Sequence, residues 1–141
     1  YSEEMRARYP DPGISWRFPV PEAEIPELFE AASLVVIPSI ATTGSSSVLH
    51  RAAACGRPVV ASDLPELRAL AVEEDLRIEL VPPGDAPALA VRIAELLQDP
   101  ARCLALVRHN FDLMQGMTLA HTCARYAAIF AEAAREARRR S

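Results

Sequence analysis

The stretch Ser45-Ser-Ser-Val-Leu-His-Arg-Ala-Ala-Ala-Cys-Gly56, continued by Arg57-Pro-Val-Val-Ala-Ser-Asp63, decides the fold class. Ser45 to Cys55 reads as a helix, and Gly56 ends it as glycine does just past a helical C-terminus. Pro58 to Ala61 is then a short apolar run without polar alternation. Such a run suits a strand covered on both faces, the situation of strands in a parallel sheet. Leu34 to Ile37, closed by Pro38, has the same character, and Arg77 to Val81 closes on Pro82-Pro-Gly84. A further strand is expected over Ile14 to Phe18, after the breaker cluster Tyr9-Pro-Asp-Pro-Gly13.

Helices are expected between and after these runs. Ser2 to Arg8 reads as the end of one. Pro21 to Ala32 opens with prolines and acids, where missing amide donors matter least. Leu64 to Val72 follows the second strand. Asp85 caps a helix over Ala86 to Gln98 with Leu89, Ile93 and Leu96 or Leu97 on one face. Two more run over Pro100 to Met114 and Thr118 to Arg138. Leu119, Cys123, Tyr126 and Phe130 form a stripe on the last, expected to pack in the core or against another domain. Strands alternating with helices through short loops predict an α/β fold with a parallel sheet.

Composition narrows the function classes. The chain has 141 residues, half of them apolar, and a formal net charge of −4. That balance implies no broad cationic surface and no nucleic-acid partner. All 15 cations are arginine, which excludes a P-loop or Schiff-base lysine here. Arg135, Arg138, Arg139 and Arg140 favour the negative end of a helix dipole and leave room for anionic lipid. Cys55, Cys103 and Cys123 are widely spaced and read as buried, reduced thiols. His109 and His121 have no partner at metal-ligand spacing, so no metal site is expected. No apolar run approaches the ~20 residues that span a bilayer.

Thr42-Thr-Gly-Ser-Ser-Ser47 holds five hydroxyls around one glycine, between a strand and a helix. Two readings stand side by side. Serine and threonine before a helix are ordinary caps. The same hydroxyls, with the free amides and positive dipole end of the helix, also suit an anion. Arg51 lies four residues after Ser47 on the same helical face, where a guanidinium would reach a bound phosphate. His50 points away from that face and reads as a satisfied, half-buried histidine.

Several ordered motifs resemble one family. Ile25-Pro-Glu-Leu-Phe-Glu-Ala-Ala-Ser-Leu-Val-Val-Ile-Pro-Ser39 is similar to the helix–strand segment of the retaining GT-B glycosyltransferases called group 1, or family 4. Ala52-Ala-Ala-Cys-Gly-Arg-Pro-Val-Val-Ala-Ser-Asp63 resembles the block written EAMACGKPVVASD in that family. Pro65-Glu66, Leu80-Val-Pro-Pro-Gly-Asp85 and the Asp99-Pro100 break fall in register, so the resemblance runs from about Ile14 to Phe130.

The resemblance implies the Rossmann-like, donor-binding C-terminal domain of a two-domain enzyme. Its sheet part would cover residues 14–85 and its helical part residues 86–138. The acceptor-binding domain and the domain's first two strands would lie before Tyr1. In the implied sheet order, 34–37, 58–61 and 77–81 are consecutive parallel neighbours and 14–18 belongs two strands away. Strand 14–18 is expected either to pair inward with 34–37 or to leave a gap that upstream sequence fills.

The implied activity is transfer of a hexose, with retention, from a nucleoside-diphosphate sugar to a glycan or lipid-linked acceptor in bacterial polysaccharide biosynthesis. No cofactor is implied, and the location would be cytoplasmic, including the inner face of the membrane. Departures from the pattern matter here. The two glutamates of the family's E-x7-E fall on Thr43 and Arg51, or on Thr42 for the first when counted from Pro38-Ser39. The usual glycine after the first strand is Pro19, which removes a backbone donor. With hydroxyls and a guanidinium standing where the acids would be, the candidate donor-diphosphate residues are Thr43, Gly44, Ser45, Ser46, Ser47 and Arg51. Sugar or ribose contacts fall to Thr42, Asp63 and Glu66. The loss of both glutamates leaves open a degenerate, non-catalytic GT-B subunit, and the shared sheet leaves open a GT-B sugar-nucleotide epimerase.

Overall fold

The computed structural model describes residues 2–41 and 46–140. Its element order is α1 (Ser2–Arg8), α2 (Ile25–Ala31), β1 (Val35–Ile37), α3 (Ser47–Ala54), β2 (Val59–Ser62), α4 (Pro65–Glu73), β3 (Glu79–Val81), α5 (Ala86–Gln98), α6 (Pro100–Gly116) and α7 (Leu119–Arg140), with a 3-10 turn at Glu22–Glu24 before α2. The three strands make one parallel sheet in the order β1-β2-β3. Val35, Val36 and Ile37 face Val59, Val60 and Ala61, while Val60, Ala61 and Ser62 face Glu79, Leu80 and Val81. The three expected neighbours are therefore adjacent and parallel.

β2 is the central strand and every residue in it is buried, as its unbroken apolar run requires. Because side chains alternate across a strand, it feeds two cores. Val59 and Ala61 pack with Leu49, Ala52 and Ala53 of α3 and Leu67 of α4. Val60 packs with Val81 and Leu96 on the other face, joined by Leu89 and Ile93 of α5 and Cys103 and Leu106 of α6. Leu49, Leu67, Leu96, Val59 and Val60 are almost completely buried, each stabilising the fold by about 1.5–3 kcal/mol. Both crossover helices, α3 and α4, lie on one face, as crossovers of one hand stepping the same way require.

Gly56 is where conformation demands glycine. Its φ is +63°, and the Arg57 amide bonds back to the Ala52 carbonyl at 2.8 Å, closing α3 through a left-handed residue. Asp85 accepts from the Ala88 amide at 2.9 Å and so caps α5. α3 itself starts two residues later than the hydroxyl run suggests, because Ser46 is its N-cap and Ser47 its first residue.

Three expectations are corrected. Ile14 to Phe18 forms no strand: Ile14, Trp16 and Phe18 are exposed, and Arg6 donates to the Trp16 carbonyl at 2.8 Å. A strand exists only against a partner, and none lies beside this segment or beside the outer edge of β1 among the described residues. Of the two places expected for the stripe on α7, the core of this chain is ruled out, since Leu119, Tyr126 and Phe130 are 80%, 58% and 69% exposed. Its aromatic members stack on each other instead, Tyr126 and Phe130 centring 6.4 Å apart. The third concerns the thiols, for all three are free but Cys123 is exposed and the other two are only half-buried.

The thiols differ in a testable way. Burial pushes the Cys103 thiol above its usual range, Asp99 and Glu79 add to this and Arg102 opposes it. Its Sγ also donates to the Leu96 carbonyl at 3.0 Å. Thiolate is the reacting species, so raising pH speeds alkylation of Cys103 only beyond the range that suffices for an ordinary thiol. Iodoacetamide followed by peptide mass spectrometry at pH 8 should label Cys123 roughly tenfold faster than Cys103. Equal rates would contradict the placement of Cys103.

Candidate functional site at the C-terminal edge of the sheet

The strands all end on one edge. β1 runs into Pro38, β2 into Asp63 and β3 into Pro82, and a cavity of about 160 Å³ opens there between Pro38, Ser62, Val81 and the Gly84–Ala86 turn. In open α/β sheets this carboxyl edge is where ligands bind. α3 leaves the same edge after β1, with its N-terminus towards it. The first amides of any helix lack intrahelical acceptors and carry its positive dipole end.

Thr42, Thr43, Gly44 and Ser45 lie outside the described residues. Ser46 is the N-cap of α3, with its Oγ accepting from the Leu49 amide at 3.3 Å. That oxygen thus serves the capping role, while its hydroxyl proton is still able to donate to a ligand. Ser47 is exposed in the first turn.

Arg51 is already engaged. Its Nη2 lies 2.5 Å from Glu22 Oε1, an ion pair in which the Arg51 side chain is 42% exposed and Glu22 76%. Glu22 sits on the 3-10 turn before α2, and nothing local in the sequence links two residues 29 apart. The pair is open to solvent, so its contribution to stability is small.

Asp63 and Glu66 stand at the β2–α4 corner, and they differ. Asp63 takes a bidentate contact from Arg68, whose Nε lies 2.9 Å from Oδ1 and whose Nη2 meets Oδ2. The hydrogen bond to Asp63, and then its charge, hold the Arg68 guanidinium above its usual range. The Asp63 amide donates to the Val81 carbonyl at 2.8 Å, so this residue also shapes the turn. Glu66, in the first turn of α4, is exposed, and its carboxylate has no partner among the described residues. The Arg68 partnership had a sequence signal, a cation one helical turn into α4.

His50 is satisfied on both sides. Nε2 lies 2.6 Å from Glu74 Oε2 and Nδ1 lies 3.0 Å from the Ser46 carbonyl. It thus ties the cap of α3 to the turn after α4. The Glu74 partner, 24 residues distant, had no signal in the sequence.

The likenesses to known proteins agree with this architecture. The profile of the family described as Glycosyl transferases group 1 matches residues 2–99. A D-inositol 3-phosphate glycosyltransferase of Thermobispora bispora is 34% identical over 115 residues, covering 82% of this chain and 26% of that protein. D-inositol 3-phosphate glycosyltransferase 1 of Catenulispora acidiphila is 41% identical over 88 residues, 62% of this chain and 21% of that protein. The chain spans about a quarter of the length of these curated relatives. Among solved structures, Anabaena HepE in complex with UDP superimposes with a TM-score of 0.67 at 26% identity, over 79% of this chain and 30% of that one. Sheet order, the strand–helix motifs and the profile over residues 2–99 agree, and the chain belongs to the group 1 glycosyltransferases.

Proposed function

We propose that this chain is the donor-binding part of a retaining glycosyltransferase that takes a hexose from a nucleoside-diphosphate sugar and passes it to a glycan or lipid-linked acceptor. The observation that carries the reading is the carboxyl edge of a group 1 sheet, open as a cavity between Pro38, Ser62, Val81 and the Gly84–Ala86 turn. HepE, the related structure, was solved with UDP, which supports a nucleoside diphosphate as the ligand class. The diphosphate would meet the amides at the start of α3, the hydroxyls of Thr43 to Ser47 and the Arg51 guanidinium. Thr42, Asp63 and Glu66 are proposed to face sugar or ribose hydroxyls, with Glu66 the acid free to do so. The acceptor would bind a domain outside this chain, and the segment alone would be inactive. We place the whole protein in the cytoplasm, where it has access to the inner membrane face. No described helix is long and apolar enough to cross a membrane.

Leaving-group stabilisation is the chemical task assigned to this edge. As the sugar–phosphate bond breaks, negative charge gathers on the diphosphate, and fixed donors aimed at it lower the barrier. Release of nucleoside diphosphate from UDP- and GDP-hexoses by the full-length protein tests this. Release no faster than with heat-treated protein would overturn the transferase reading.

A second reading has its own support, because Arg51 replaces an acid and is held by Glu22. In a binding-only subunit the nucleotide would still compete with Glu22 for Arg51. Calorimetric titration with UDP and GDP should show Arg51→Ala losing roughly tenfold in affinity, the scale of a charged hydrogen bond at a half-exposed site. Glu22→Gln should gain about threefold, since the internal competitor is weakened. Unchanged affinity in both variants would remove Arg51 from the site.

A further inference from the structure

We propose that His50 is a positioning residue that sets the diphosphate affinity of this edge by holding the first turn of α3 in place. The inference rests on the donor-binding reading and adds a part to it. His50 Nδ1 is 3.0 Å from the Ser46 carbonyl, which also accepts from the Leu49 amide at 3.1 Å and the His50 amide at 3.3 Å. Ser46 is in turn the N-cap whose Oγ takes the Leu49 amide. Among the described residues, the polar contacts at the entry of α3 therefore converge on Ser46, and one of them comes from the His50 ring.

The far side of that ring is anchored. Nε2 meets Glu74 Oε2 at 2.6 Å, with both side chains about 30% exposed. Glu74 follows α4, and its amide bonds to the Leu70 carbonyl at 3.0 Å, so the anchor belongs to a different helix. Both acceptors, the carbonyl and the carboxylate, need a donor. The ring is a strut between α4 and the mouth of α3, with both of its nitrogens engaged in that role.

A strut of this kind acts on ligand atoms that meet the start of α3 and leaves other ligand atoms alone. Fixed amides bind an anion better than amides that must first be ordered, because the ordering entropy is spent in folding. The consequence is a selective effect on the second phosphate. A merely structural histidine would lower stability without altering which part of a nucleotide is recognised.

The neighbouring pin gives the control. His109 Nε2 lies 2.7 Å from the Asp75 carbonyl, one residue beyond Glu74, yet it ties the same turn to α6 and not to α3. The experiment is titration of the full-length protein with UDP, UMP, GDP and GMP, alongside thermal unfolding of each variant. For the nucleotide that binds, His50→Ala is expected to lower the diphosphate-to-monophosphate affinity ratio roughly fivefold, and Glu74→Gln about twofold. His109→Ala should lower the melting temperature and leave the ratio unchanged. If His50→Ala does not fold, the Glu74→Gln ratio decides alone. A ratio unchanged in the folded His50 or Glu74 variant would overturn the inference. Wild-type protein that binds none of the four nucleotides would overturn the donor-binding reading, and this inference with it.

Discussion

Replacing Asn110 by alanine lowers the folding free energy by about 2–4 kcal/mol, the sum for two backbone groups stranded away from water. Asn110 is completely buried on α6. Its Oδ1 accepts from the Arg77 amide at 2.8 Å and its Nδ2 donates to the Arg77 carbonyl at 2.8 Å. The side-chain amide thus behaves as a neighbouring strand would, satisfying both groups of the residue that leads into β3. Alanine removes both partners and leaves a space too enclosed for easy hydration. Asn110→Asp should be nearly as damaging, because its second oxygen opposes the Arg77 carbonyl where a donor is required. Urea unfolding monitored by circular dichroism measures the loss as a shift in midpoint at constant slope. A change below about 1 kcal/mol would contradict the arrangement.

Glu79 carries the second large effect. Its side chain is 11% exposed and receives two arginines from different helices. Arg102 of α6 approaches bidentately, with Nε at 2.8 Å and Nη2 at 2.7 Å, and Arg92 of α5 donates at 3.1 Å. Removing one member of a buried ion pair costs several kcal/mol, because the partner charges stay behind. Here the arginines are 33% and 39% exposed, so solvent absorbs part of the penalty. Glu79→Ala is expected to lose about 2–3 kcal/mol after that discount. The double variant Glu79→Met with Arg102→Met should recover most of it, since an apolar pair of similar volume replaces a charge that is expensive to desolvate. Thermal unfolding of the single and double variants checks both parts. A double variant no more stable than the single would show that charge pairing is not the source of the loss.

The sheet was legible wherever local sequence settles local structure. The apolar runs at Leu34–Ile37 and Pro58–Ala61 and the stops at Gly56 and Pro82 needed no distant partner to be read. Ile14–Phe18 failed for a physical reason, since a strand-like composition yields a strand only beside another strand. The amphipathic stripe of α7 shows that one face is apolar but not what, if anything, covers it. At the site, the N-cap role of Ser46 could be read from residue type, whereas the partners of Arg51 and His50 come from 29 and 24 residues away. Asn110 had a faint signal as a polar residue amid the helical pattern of α6, though nothing marked the backbone it completes.

Central to the account is that the diphosphate of a sugar nucleotide docks at the start of α3, on the carboxyl edge of the sheet. The direct measurement is a crystal structure of the full-length protein grown with UDP or GDP. The β-phosphate is expected within hydrogen-bonding distance of the amides at Ser46 to Val48, with Arg51 turned from Glu22 towards it. A nucleotide bound with its phosphates away from α3, and the Arg51–Glu22 pair intact, would contradict it.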